Sequence, residues 1–150
     1  MKKISFYYFV AAFTCISVSL SCNKSSMHIA AMQAKVDGVL VVCDTKVELS
    51  KALSGTLYGI SGVAKDGSSL MLLFPIASGV GTYQFLGFNA SYQNEGWFSY
   101  NGDNQYKSIN GSVVVTESTG NKFKGTFSFD AQKYLGGTKS ITEGVFEIAY

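Results

Sequence analysis

The stretch KFKGTFSFDA, residues 122–131, constrains the fold more than any other part of the chain. Phe123, Phe127 and Phe129 alternate with Lys122, Lys124, Thr126, Ser128 and Asp130. A period of two is the period of a strand, with one face turned to a core and the other to water. Just before it, SINGSVVVTES sets Ile109, Val113 and Val115 on one face, with Ser112 and Thr116 opposite. The intervening Thr119–Asn121 reads as a turn, so the two runs predict a hairpin. In TEGVFEIAY, Phe146, Ile148 and Tyr150 share a face, with Glu143 and Glu147 on the other.

The same pattern extends back to Met32. AKVDGVLVVC predicts an opening hairpin around Asp37-Gly38, and GTLYGISGVAKDGSSLMLLFPI a second one with a two-residue turn at Asp66-Gly67. Leu70–Ile76 is apolar at almost every position, as in a central strand covered on both faces, with Pro75 near its end. GTYQFLGFNASYQ and GWFSYNGDN read as two more strands. Sixteen glycines, one proline and no helical periodicity complete the picture. The expectation is one all-β domain over residues 32–150, an antiparallel β-sandwich or flattened β-barrel of about eight to ten strands.

The first 21 residues read as an address. Lys2 and Lys3 precede an uncharged, mostly apolar run from Ile4 to Leu20, and Ser21 is a small residue before Cys22. That is the layout of a secretory signal. The run is barely long enough to span a bilayer, which takes about 20 apolar residues, and Ser5, Thr14, Ser17 and Ser19 dilute it. Ser21-Cys22 resembles the lipobox of bacterial lipoproteins, although Ser19 and Leu20 depart from its usual pattern. The resemblance implies a signal peptide at 1–21, lipid on Cys22, and a tether through residue 31. Residues 23–31 (NKSSMHIAA) lack strand alternation, and no acid stands between Cys22 and Asp37. By comparison with surface-exposed Bacteroidota lipoproteins, which carry acids there, the expected location is the outer membrane with the domain facing the periplasm.

Charge and cysteine content restrict the chemistry. Lysine and arginine together number 12 against 10 acids, and every cation is a lysine. Without Lys2 and Lys3 the charges balance. No basic cluster is present, which argues against nucleic acid as a partner. If, as the lipobox resemblance implies, Cys15 leaves with the signal and Cys22 carries lipid, Cys43 in VLVVC is left as a small buried hydrophobe with no disulfide partner.

His28 is the single histidine and lies in the tether, so hydrolytic triads and histidine-rich metal sites are not expected. No metal, cofactor or phosphate loop is expected, and NGDN at 101–104 reads as a hairpin tip. Asp44, Glu48, Glu95, Asp103, Glu117, Asp130, Glu143 and Glu147 are expected at turns or on solvated faces. A carboxylate-based hydrolase needs two of them paired, and no pair stands out. The stretch YQNEGWFSYNGDNQY, residues 92–106, is different. It sets Tyr92, Trp97, Tyr100 and Tyr106 among amides, the combination that suits sugar rings. If residues 96–100 form a strand, Phe98 and Tyr100 share one face and Trp97 takes the other.

The ordered series AKVDGV, GISGVAKDGSSLMLLF, GTYQF, INGSVVVTES, FKGTFSFDA and TEGVFEIAY resembles small β-rich lipoproteins of Bacteroidota grouped as domains of unknown function. That resemblance implies an all-β envelope domain and supplies no catalytic residues. The functional expectation is a non-enzymatic domain that binds or scaffolds, with an envelope protein or a glycan as partner. The alternatives are a module for glycan or a small apolar molecule, and a cryptic hydrolase.

Overall fold

Strand pairing in the computed structural model is antiparallel throughout, and no α-helix occurs among the described residues, which are 30–52, 55–75, 79–87, 94–100 and 104–149. Eleven strands form among these residues: β1 (Ala30–Val36), β2 (Val39–Cys43), β3 (Lys46–Ala52), β4 (Leu57–Val63), β5 (Ser69–Pro75) and β6 (Gly81–Gln84), then β7 (Glu95–Tyr100), β8 (Asn104–Ser108), β9 (Ser112–Thr119), β10 (Lys122–Gln132) and β11 (Thr138–Ala149). They join in one sheet of order β2-β1-β11-β10-β8-β7-β5-β4-β3, with β9 bridging β10 and β6. The long strand β10 therefore shares one edge between two neighbours, β9 along Lys122–Ser128 and β8 at Ala131 and Gln132.

The two ends of this path are consecutive in the chain. β2 and β3 are separated only by Asp44 and Thr45, and the Thr45 N–H donates to the Val63 carbonyl at 3.1 Å. There the sheet curls almost shut into a barrel. Gly62 lies so close to Cys43 that a Cβ on it would stand 2.7 Å from the cysteine Sγ. A side chain at 62 would push the wall apart at the closure.

Side chains fill the interior, as the packing of a small barrel requires. Phe123, Phe127 and Phe129 all point inward, as their alternation predicts, and Phe123 stacks on Phe74 at 5.5 Å and on Phe146 at 6.0 Å. Tyr58 leans on the same cluster from 5.3 Å. Leu70, Leu72 and Phe74 are fully buried, while Met71, Leu73 and Pro75 are half-buried on the outer face. β5 is central by pairing, between β4 and β7, and ends at Pro75, but its outer face is only half covered rather than covered as expected.

Several turns differ in detail from expectation. Asp37 and Gly38 make a two-residue hairpin turn with φ of 49° and 81°, the left-handed pair such a turn demands. The Asp37 carboxylate accepts from the Ser140 N–H and pairs with Lys139, which holds its carboxyl below the ordinary range. The second hairpin has no two-residue turn. Ala64 bonds Ser68, and Lys65, Asp66 and Gly67 form a three-residue loop with Gly67 at φ 82° and the Asp66 carboxylate accepting from the Ser68 N–H. Ile109 does not share a face with Val113 and Val115. The chain turns at Asn110 and Gly111 before β9 starts, which leaves Ile109 exposed. β1 begins at Ala30, inside the stretch read as tether, because Ala30 and Ala31 already pair with Ile148 and Glu147.

Candidate functional site

The site with the most developed chemistry lies on the outer wall across β4, β5, β7 and β8. Register puts Ser61, Met71, Trp97 and Lys107 in one row, and Val63, Ser69, Ser99 and Gln105 in the next. The alternation that buries Phe98 turns Trp97 outward, as the sequence predicts for a strand here. Gly96, beside it, has no room for a side chain, because Phe129 covers it from inside with a ring carbon 2.7 Å from where a Cβ would sit.

Glu95 shares the outer face with Trp97, yet it is only 3% exposed. Oε2 accepts a hydrogen bond from the Trp97 indole Nε1–H at 3.0 Å, while Oε1 accepts no hydrogen bond and meets Lys107 Nζ at 2.6 Å as an ion pair. Lys107 Nζ also stands 5.4 Å from the indole centroid, within reach of a cation–π contact. The Lys107 side chain is 13% exposed, so the ion pair is largely withdrawn from water. The expectation that Glu95 is solvated is therefore corrected. Lys107, on the next strand and directly opposite Trp97, compensates its burial.

Held in this way, the indole lines an open cleft of about 300 Å³ with Ser61, Ser69, Met71, Ser99 and Gln105. The Ser69 and Ser99 hydroxyls hydrogen-bond to each other at 2.6 Å. No charged side chain lines the cleft.

Tyr100 and Tyr106 do not join Trp97. They stand with Val36, Phe98 and Lys139 around a separate opening of about 330 Å³ on the inner side of the wall. Tyr106 packs 6.1 Å from Phe98, and Tyr100 is 47% exposed. Tyr92, Cys22, the signal segment at 1–21, His28 and residues 101–103 of NGDN lie outside the described residues. The period of two in EGWFSY already places Glu95, Trp97 and Ser99 on one face. Lys107 and Gln105 carry no such signal, since only strand pairing brings them there.

Most other acids take surface lysines. Asp44 pairs with Lys65, Glu48 with Lys46, Glu143 with Lys35, and Glu117 and Glu147 share Lys122. Among the described residues no group of histidine, cysteine and acidic side chains is arranged to hold a metal ion.

Cys43 is the small buried residue the sequence predicts, at 2% exposure. Burial pushes its thiol up from 9.0 to about 11. Only the thiolate is nucleophilic, so Cys43 in the folded protein is expected to resist Ellman's reagent at pH 8 and to become reactive on denaturation. Rapid labelling of Cys43 without unfolding would contradict the burial. Between pH 9.0 and about 11 the unfolded thiol ionises while the folded one keeps its proton, so this group's contribution to stability is lost as pH rises through that window.

A family model described as "Domain of unknown function (DUF6252)" matches residues 28–148. No curated protein and no solved structure matches the chain.

Proposed function

We propose that this chain, which belongs to the DUF6252 family of domains of unknown function, is a non-catalytic binding domain of the cell envelope, held to a membrane by lipid on Cys22. The observation that carries the binding role is the Trp97 cleft. Its aromatic wall is immobilised by a buried ion pair, while its hydroxyl and amide groups face solvent. Glu95, the most buried acid among the described residues, is committed to that support, which favours a binding surface over a carboxylate-driven reaction. Rings fill the barrel interior around Phe123, and the inner opening beside Tyr100 and Tyr106 has no comparably fixed indole, so the outer wall is the better place for a ligand.

The lipid role rests on the Ser21-Cys22 pattern after an apolar run. Each buried CH₂ contributes about 0.8 kcal/mol, and two or more acyl chains together hold a protein firmly at a membrane. Cells fed radiolabelled palmitate are expected to label the native chain and not Cys22→Ala. The variant is also expected to move from the membrane to the soluble fraction. Continued palmitate incorporation by Cys22→Ala would remove the anchor from this proposal.

A further inference from the structure

We infer that the Trp97 cleft is a subsite for a single neutral sugar ring, a pyranose unit of a larger glycan. The assignment rests on the binding role proposed above and gives it a ligand class.

The indole is fixed before any ligand arrives. Its N–H is bound by Glu95, and Lys107 Nζ sits over the ring, 5.4 Å from its centroid. A preorganised aromatic wall avoids the ordering cost that a free side chain would incur on binding. The N–H is already used, so Trp97 offers the cleft carbon surface. Met71, directly opposite on β5, extends that surface. Such a wall suits the C–H face of a pyranose.

A smaller part of the lining is polar, and it is uncharged. Ser69 and Ser99 share one hydrogen bond, which leaves one hydroxyl hydrogen and several lone pairs between them for a ligand. Gln105 adds an amide with both donor and acceptor, and Ser61 another hydroxyl. Sugar hydroxyls are themselves both donors and acceptors, so either sense can be matched.

Charge and size exclude the neighbouring ligand classes. Glu95 and Lys107 neutralise each other and do not line the cleft, so neither an anion nor a cation meets a counter-charge there. A wholly apolar ligand would cover the half-buried Ser69 and Ser99 hydroxyls without pairing the hydrogen their mutual bond leaves over, a loss of binding energy. A volume of about 300 Å³ lies at the low end for ligand sites and suits one ring rather than a long segment.

Trp97 is the one tryptophan in the chain, so its emission reports on this cleft alone. The full chain, held in a sugar-free zwitterionic detergent, would be titrated with maltotriose, cellotriose and triacetylchitotriose. At least one is expected to shift Trp97 emission saturably, with a dissociation constant on the order of 1 mM. Gln105→Ala and Ser99→Ala keep the reporter and are expected to weaken that response by up to about tenfold, with unchanged circular dichroism. Tyr100→Ala, at the other opening, is expected to leave it unchanged.

The assignment is overturned if none of the three sugars shifts the emission. It is equally overturned if the response ignores Gln105→Ala and Ser99→Ala, disappears in Tyr100→Ala, or occurs only with the apolar probe N-phenylnaphthylamine. In each case the membrane behaviour of Cys22→Ala stands as a separate result, so loss of the sugar would not be confused with loss of the anchor.

Discussion

Replacing Lys107 by methionine is expected to destabilise the domain by about 3 kcal/mol at neutral pH, from the cost of stranding one member of a buried ion pair. The methionine preserves most of the apolar stem. What it removes is the ammonium 2.6 Å from Glu95 Oε1, on a carboxylate whose side chain is 4% exposed. The indole N–H would remain as a donor to Oε2 and cannot neutralise a full charge. Urea unfolding followed by circular dichroism measures the loss. Trp97 emission should move with it, because the support of the indole is disturbed at the same time. Adding Glu95→Gln to Lys107→Met removes the stranded charge and keeps an acceptor for the indole, so the double variant is expected to regain stability over the single one. If Lys107→Met unfolds at the native urea midpoint, the pair contributes nothing and the description of Glu95 as compensated is wrong.

Phe123→Ala is expected to cost about 4 kcal/mol, in the range measured for emptying a fully packed aromatic position, and to lower Tm by roughly 10–20 °C. Phe123 is 1% exposed and touches three rings, Tyr58, Phe74 and Phe146, from β4, β5 and β11. Opposite walls of the barrel meet on this side chain, so the rings around it cannot close over the gap without moving the strands. The contrast is Leu135→Ala in the β10–β11 turn, where Leu135 is 88% exposed. There the change should stay within about 0.5 kcal/mol. Equal thermal shifts for the two would show that Phe123 is not where the walls meet.

These two residues also mark what the sequence makes legible. Phe123 is readable because alternation is a local property, and Phe127 and Phe129 repeat it two strand positions apart. The all-β class, the Asp37-Gly38 hairpin and the outward turn of Trp97 follow from the same period. Glu95 is not readable in that way. Alternation assigns it to the outer face, where acids are normally wet, and its burial depends on Lys107 arriving from another strand. The separation of Trp97 from Tyr100 and Tyr106 is half legible. Parity divides Trp97 from Tyr100, but only the curl of the wall shows that they face different openings. The three-residue loop after Ala64 escapes a reading of Asp66-Gly67 as a pair, because Lys65 carries no turn signal of its own.

Ala30 pairs with Ile148, so the first and last of the eleven strands lie side by side, and β11 has β10 on its other edge. This arrangement imposes an order in time. Hairpins such as β1–β2, β4–β5 and β9–β10 can form as soon as their own residues are available, but the seam between β1 and β11 must wait for a contact across almost the whole domain. Sheets dominated by such distant pairings fold over milliseconds to seconds rather than microseconds. Until β11 docks, β1 keeps one edge open and the Phe123–Phe146 stack has only one of its rings in place. Docking of β11 between β1 and β10 is therefore expected to follow the local hairpins and to set the folding rate.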